Sequence, residues 1–130
     1  MPKYLIDPKL NFIPVTGLIK GPRGNPVLLN FVLDTGASMT SIPSETAMSI
    51  GCDPTKSHRK VEIITASATE YVSIVTIPKF QIWNAVLHNI DVICLDMPPK
   101  STVSGLLGLN VLNRFDISLK FRSKILEITR

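Results

Sequence analysis

The sequence predicts an all-β fold with one or two short helices. Three observations carry this: short β-type runs separated by turn residues recur along nearly the whole chain, helical signals are confined to two places, and the ten prolines suit turns and strand edges. Phe12 to Lys20 ends at Gly21-Pro22-Arg23-Gly24-Asn25-Pro26, a run that can only turn. Val27 to Leu33 follows as a mostly apolar strand, completing a hairpin. Val61 to Ile64 and Tyr71 to Pro78 flank the small-residue bridge Thr65-Ala66-Ser67-Ala68-Thr69-Glu70 and read as a second, longer hairpin. Phe80 to Ile82 and Val86 to Leu95 flank Trp83-Asn84-Ala85 as a third, and Ile117 to Phe121 and Ile125 to Thr129 enclose Arg122-Ser123-Lys124 as the last. Pro43 to Gly51 has an early acid, Glu45, and a glycine at its stop, which suits one or two helical turns; Leu109 to Arg114 suits another. Phe31 to Gly36 and Val103 to Gly108 are each an apolar strand end running into a glycine and then a helix signal, a faint mark of two related halves.

A length of 130 residues predicts one domain, 1–130, with a core large enough to fold without disulfides. Apolar residues make up 45% and charged residues 18%, with a mean hydropathy of +0.26, which predicts apolar area at a subunit interface or cleft. No run approaches a membrane span and Met1 to Asp7 has no signal-peptide segment, so a soluble cytoplasmic protein without membrane association is expected. Cys52 and Cys94 sit in no zinc or redox spacing and read as buried, reduced thiols. The net charge of +4 is spread along the chain and aromatics are 6%, so no nucleic-acid platform is formed. Lys120, Arg122 and Lys124 alternate with Leu119, Phe121 and Ile125 as the wet face of a half-buried strand. His58 and His88 lie in no hydrolase or zinc-protease motif and read as surface residues.

Asp34-Thr35-Gly36, at the end of an apolar strand, is the feature with chemical content. Taken alone, it reads first as a plain turn in which Asp34 bonds its own backbone and Gly36 supplies a positive φ. Its context is richer. Phe31-Val32-Leu33-Asp34-Thr35-Gly36-Ala37-Ser38, followed some seventy residues later by Gly105-Leu106-Leu107-Gly108-Leu109-Asn110-Val111-Leu112, resembles the retropepsin-like aspartic proteases, over about residues 11 to 130. The resemblance implies a closed, orthogonal β-barrel of the acid-protease type, with a flap hairpin at Ile63 to Ile74 that closes over a polypeptide substrate.

Peptide hydrolysis by two carboxylates needs one ionised, to take a proton from water, and one protonated, to polarise the carbonyl oxygen. The chain offers one such aspartate, since Asp7, Asp53, Asp91, Asp96 and Asp116 lie in no comparable setting, so the second must come from an identical chain. The resemblance implies a homodimeric endopeptidase without metal or cofactor. It gives Asp34, Thr35 and Gly36 the catalytic positions: Asp34 in the dyad, the Thr35 hydroxyl bonding the partner's loop, the Gly36 carbonyl accepting from substrate. Gly36, Ala37, Thr65, Ala66, Ser67 and Ala68 are the implied substrate contacts. Where pepsin-type enzymes carry a serine that bonds the aspartate, Ala37 stands here, which implies a working pH nearer neutral. The family also implies terminal strands interleaved between subunits, with Ile125-Leu126-Glu127-Ile128 as an interface strand.

Two departures stand out. Retroviral enzymes pair an acid at the position of Ser38 with an arginine at that of Leu109, and both are missing here. The flap tip Ala66-Ser67-Ala68-Thr69 also lacks glycine, which predicts a wide, loosely ordered tip and favours a rival function, a dimeric module that grips an extended peptide with little or no cleavage.

Overall fold

The computed structural model describes residues 2–64 and 66–130. The strands are β1 (Lys3–Leu5), β2 (Pro14–Lys20), β3 (Val27–Leu33), β4 (Ser41–Ile42), β5 (Lys60–Ile64), β6 (Thr69–Ile82), β7 (Ala85–Cys94), β8 (Gly105–Leu107), β9 (Asp116–Lys120) and β10 (Ile125–Thr129). Two short helices, α1 (Ser44–Ser49) and α2 (Leu109–Leu112), and a 3-10 turn at Pro54–Lys56 complete the described chain.

The larger sheet runs β4-β7-β6-β2-β3-β8, with β5 added to β6. Its outer strands come together where the Leu106 N–H donates to Ser41 Oγ at 2.9 Å, so the sheet nearly closes into a barrel. Alternation decides what fills it: on β2, Val15, Gly17 and Ile19 point inward while Thr16 and Lys20 face water. Phe31 and Phe80 pack with ring centroids 5.6 Å apart, joined by Ile19, Ile42, Ile77, Val92, Leu107 and Val111, all fully buried. Each such side chain contributes roughly 1.5 to 3 kcal/mol by leaving water.

The two segments marked as related lie side by side. β3 pairs in parallel with β8, Phe31 against Gly105 and Leu33 against Leu107, while β7 pairs in parallel with β4. Each hairpin thus receives the short strand that follows the other hairpin.

Two boundaries differ from the sequence expectation. Tyr71–Pro78 and Phe80–Ile82 belong to one strand, β6, which pairs with β7 from Ile74↔Ile93 to Ile82↔Ala85. The Ile74 N–H points to Arg59 O on the β5 side; Pro78, four residues on, directs its ring nitrogen to that same side. There β5 has ended and β2 has not begun, so the missing N–H leaves no ladder bond unmade. The third hairpin turns on Trp83 and Asn84 alone, with Trp83 at φ 51° and its ring set edge-on to Phe115 at 4.9 Å. Trp is a poor sequence signal for a left-handed position.

The smaller sheet, β1-β10-β9, joins the two ends of the chain. The expected alternation of β10 gives way to three consecutive buried residues, Leu126, Glu127 and Ile128. Glu127 accepts from Lys120 Nζ at 2.9 Å and faces Lys3 Nζ at 3.9 Å, and its carboxyl is held below the usual range, by the Lys120 bond first. Both edges of β10 are occupied by strands of the same chain, leaving the outer edges of β1 and β9 unpaired among the described residues.

Candidate active site

Asp34 follows directly on β3, and its N–H donates to Leu107 O at 3.0 Å, anchoring the turn to β8. One carboxylate oxygen, Oδ1, accepts the Gly36 N–H at 2.9 Å, and Ala37 N–H donates to Asp34 O at 3.3 Å. A Cβ on residue 36 would stand 3.2 Å from Asp34 Oδ1, so the absence of a side chain lets the peptide lie against the acid. Asp34 is half-buried, and Thr35 and Gly36 are exposed.

The loop beyond the turn is stapled to α2. Leu109 N–H donates to Ala37 O at 2.8 Å and Asn110 N–H to Ser38 O at 3.2 Å. Asn110 Oδ1 accepts from both the N–H and the hydroxyl of the fully buried Thr40, at 2.9 and 3.0 Å, while its Nδ2 donates to Asp91 O at 2.7 Å. Thr40 Oγ1 in turn accepts the Gly108 N–H at 3.0 Å. A Cβ at Gly105 would lie 2.0 Å from Ser41 O, and one at Gly108 2.5 Å from the Met39 carbonyl carbon. The Gly105-Leu106-Leu107-Gly108 run is therefore a requirement of backbone packed on backbone.

Between this floor and β5 lies a groove of about 350 Å³, lined by Gly36, Ala37, Ser38 and Met39 below, Val61 to Ile64 above, and Ile93, Leu95 and Leu106 at its back. The β5–β6 hairpin forms its roof, in register from Lys60↔Ser73 to Ile64↔Thr69, with Ala66, Ser67 and Ala68 at the tip.

Known proteins share this fold. The profile of the family described as “gag-polyprotein putative aspartyl protease” matches residues 23–114, more than half of the chain. The chain belongs to that family. A retropepsin-like aspartic protease from Rickettsia conorii has the same fold, with a TM-score of 0.71 and 21% identity over 96% of this chain and 86% of that one. The retroviral protease-like domain of Ddi1 from Leishmania major superposes with a TM-score of 0.57 and 16% identity, over 94% of this chain and 91% of its own. No curated protein sequence matches the chain.

In this retropepsin-like fold the residues singled out from sequence fall in three places. Gly36 and Ala37 line the groove floor; Asp34 does not line it but is joined to it through the Gly36 N–H, and Thr35 lies on the exposed turn. Ala66, Ser67 and Ala68 are exposed at the flap tip and do not line the groove; Thr65 lies outside the described residues. Sequence reading missed Ser38, Met39, Val61, Ile63, Ile93, Leu95 and Leu106 as lining residues. The signal for Val61 and Ile63 is their alternation on β5; Ile93 and Leu95 read only as part of the strand Val86 to Leu95, and Leu106 only as part of the glycine-bounded motif.

Ser38 is exposed and Leu109 packs against the core, so no ion pair forms at those two positions. His58 and His88 are exposed. Cys94 is buried, its thiol pushed up to about 11 by burial, with Cys52 and Asp96 nearby; Cys52 is half-buried, burial also raising its thiol. Both are free thiols. Among the described residues no cluster of His, Cys, Asp or Glu could hold a metal ion, and no helix is long and apolar enough to cross a membrane.

Proposed function

We propose that the protein is an aspartic endopeptidase active as a homodimer, each copy giving one Asp34 to a shared dyad. The observation that carries this is a carboxylate held by the N–H of Gly36, a residue that lines an apolar groove roofed by a hairpin. One Asp34 carboxylate takes a proton from water, whose oxygen attacks the scissile carbonyl carbon as the other, protonated Asp34 gives its proton to the carbonyl oxygen. The tetrahedral intermediate collapses as the first Asp34, now protonated, gives its proton to the amide nitrogen, the second takes a proton from a hydroxyl of the intermediate, and the C–N bond breaks. The reaction so written calls for no metal or cofactor. Thr35, exposed on its turn, is free to reach the partner's turn, and the Gly36 carbonyl, Ala37 and the tip residues Thr65 to Ala68 meet the substrate backbone. Met39, Val61, Ile63, Ile93, Leu95 and Leu106 suit an apolar substrate side chain.

The second copy has an apolar face to meet. Leu5, Leu10 and Phe121 are 89%, 40% and 61% exposed, and Leu10 and Phe121 line one shallow cavity with Ile13, whose carbonyl accepts the Leu33 N–H one residue before Asp34. Because β10 is flanked on both sides within the chain, the copies meet through this face and the unpaired edges of β1 and β9 rather than by inserting a strand beside β10.

The test is to incubate wild type and Asp34→Asn with a diverse peptide library between about pH 4 and 7, reading cleavage by mass spectrometry and mass by sedimentation. Cleavage by a wild-type dimer and loss of at least about a thousandfold in the variant are expected. A monomer that cleaves in an Asp34-dependent manner overturns the shared dyad. The glycine-free tip favours the peptide-gripping module as a second reading, and equal binding without cleavage by both proteins would establish it.

A further inference from the structure

The flap hairpin is joined to the barrel by β6, which pairs with β5 over Thr69–Ser73 and with β2 over Lys79–Ile82. Between those stretches no strand pairs with that edge of β6 among the described residues; the Ile74 N–H donates to Arg59 O at 2.9 Å, the Ser57 hydroxyl donates to Ile74 O, and Cys52 Sγ donates to Thr76 O at 3.6 Å. A clasp crosses the gap. Arg59, just before β5, sets its guanidinium fork on Asp91 of β7, Nη1 to Oδ2 at 2.9 Å and Nη2 to Oδ1 at 2.8 Å. Nη2 also donates to Thr76 Oγ1 at 2.9 Å, and the Thr76 hydroxyl donates to Asp91 Oδ1 at 2.6 Å. Asp91 is the residue whose carbonyl accepts from Asn110 Nδ2 at 2.7 Å, and Asn110 holds Thr40 of the active-site loop.

We propose that Arg59 is a positioning residue that sets the flap against the active-site loop, through the Asp91 side chain on one side and the Asp91 carbonyl and Asn110 on the other. The inference rests on the endopeptidase reading for its kinetic consequence but not for its structural one. An ion pair this exposed adds little to global stability, its side chains being 52% and 41% accessible. What a bidentate fork does supply is a fixed angle between the strands it joins. A flap whose root is free to rotate leaves Val61 and Ile63 misplaced over the groove, weakening substrate binding while leaving the two Asp34 carboxylates untouched. Contiguity alone is not coupling, so the far end of the relay has to be read directly.

The experiment compares wild type, Arg59→Gln, Arg59→Lys, Asp91→Asn and the Arg59→Gln/Asp91→Asn double variant, using an apolar peptide that wild type cleaves. Each single loss of the fork should raise KM by about 2- to 30-fold, the span of coupling in such networks, with kcat within about twofold. Arg59→Lys, which keeps the charge without the fork, should recover part of the affinity, and the double variant should be no worse than the poorer single one. Amide hydrogen exchange on the same proteins should quicken in β5 and also at Thr40 and Gly108, whose N–H groups end the relay. Exchange that quickens in the flap alone, or additive losses in the double variant, overturns the proposal. If wild type cleaves nothing, the endopeptidase reading fails while the exchange at Thr40 and Gly108 still decides the clasp.

Discussion

The floor of the groove and its roof hold their places by different means. Residues 34 to 41 are tied to β8 and α2 by bonds from Asp34, Gly108, Leu109 and Asn110, several of them around the buried Thr40. The β5–β6 hairpin alternates exposed and half-buried residues along β5, ends in exposed Ala66, Ser67 and Ala68, and is fastened at its root by Ser57 and Arg59. Buried, water-excluded bonds leave little freedom, because a donor released there finds no water. The hairpin's bonds can exchange with solvent at small cost. The difference fits a division of labour in which the carboxylate must stay aligned to within a fraction of an ångström while the roof lets an extended chain pass.

Gly108→Ala strikes the floor hardest. Its methyl would meet the Met39 carbonyl carbon at 2.5 Å and Thr40 N at 2.8 Å, backbone atoms with nowhere to go. We expect a loss of about 3 kcal/mol, read by urea unfolding, with peptide cleavage falling alongside because the Asp34 turn shifts. An alanine there that unfolds at the wild-type midpoint would show the floor to be no more rigid than the roof.

Legibility in the sequence follows the same division. Asp34-Thr35-Gly36 and Gly105 to Gly108 were readable because contiguous residues do one job, a turn against an acid and a close backbone approach. The hairpins were readable from alternation, since each strand has a wet and a dry face. Asn110 stands in a readable motif but its task is not local, because its partners Thr40 and Asp91 are brought to it only by the parallel pairings of β3 with β8 and β4 with β7. Arg59 and Asp91 are 32 residues apart and carry no local pattern at all. β1 was missed for a related reason: three residues, Lys3 to Leu5, become a strand only because β10 offers them an edge.

Acid should loosen floor and roof unequally. Asp91 is held below its ordinary value by the Arg59 bond first, and Glu127 by the Lys120 bond first. A carboxylate depressed in the folded state stabilises that state fully above its unfolded value, and the contribution fades as pH falls through the folded value. Stability should therefore be level from about pH 7 down to about pH 5 and fall below about pH 4, as measured by thermal unfolding. Glu127→Gln should flatten the part of that fall owed to the terminal sheet, and Asp91→Asn the part owed to the clasp. The bonds that tie the floor to β8 and α2, made by amides and the Thr40 hydroxyl, do not titrate. A fall of the same size in both variants as in wild type would place the acid sensitivity elsewhere.

The smallest effect is expected at the flap tip. Ile64 pairs with Thr69, so the connection between them is longer than a two-residue turn. Fixing a flexible residue costs roughly 1 to 2 kcal/mol, and a short peptide offers few contacts to offset that cost when the tip closes. Replacing Ser67→Asn together with Ala68→Gly introduces a pair that favours a tight reversal. KM for short peptides should fall by a few fold, and long substrates, which gain contacts along the whole groove, should change less. Because Ala66, Ser67 and Ala68 are exposed, the unfolding midpoint should stay where it is. A KM that is unchanged or higher would mean that closure of the tip does not limit binding, and would shift weight from the endopeptidase to the peptide-gripping module.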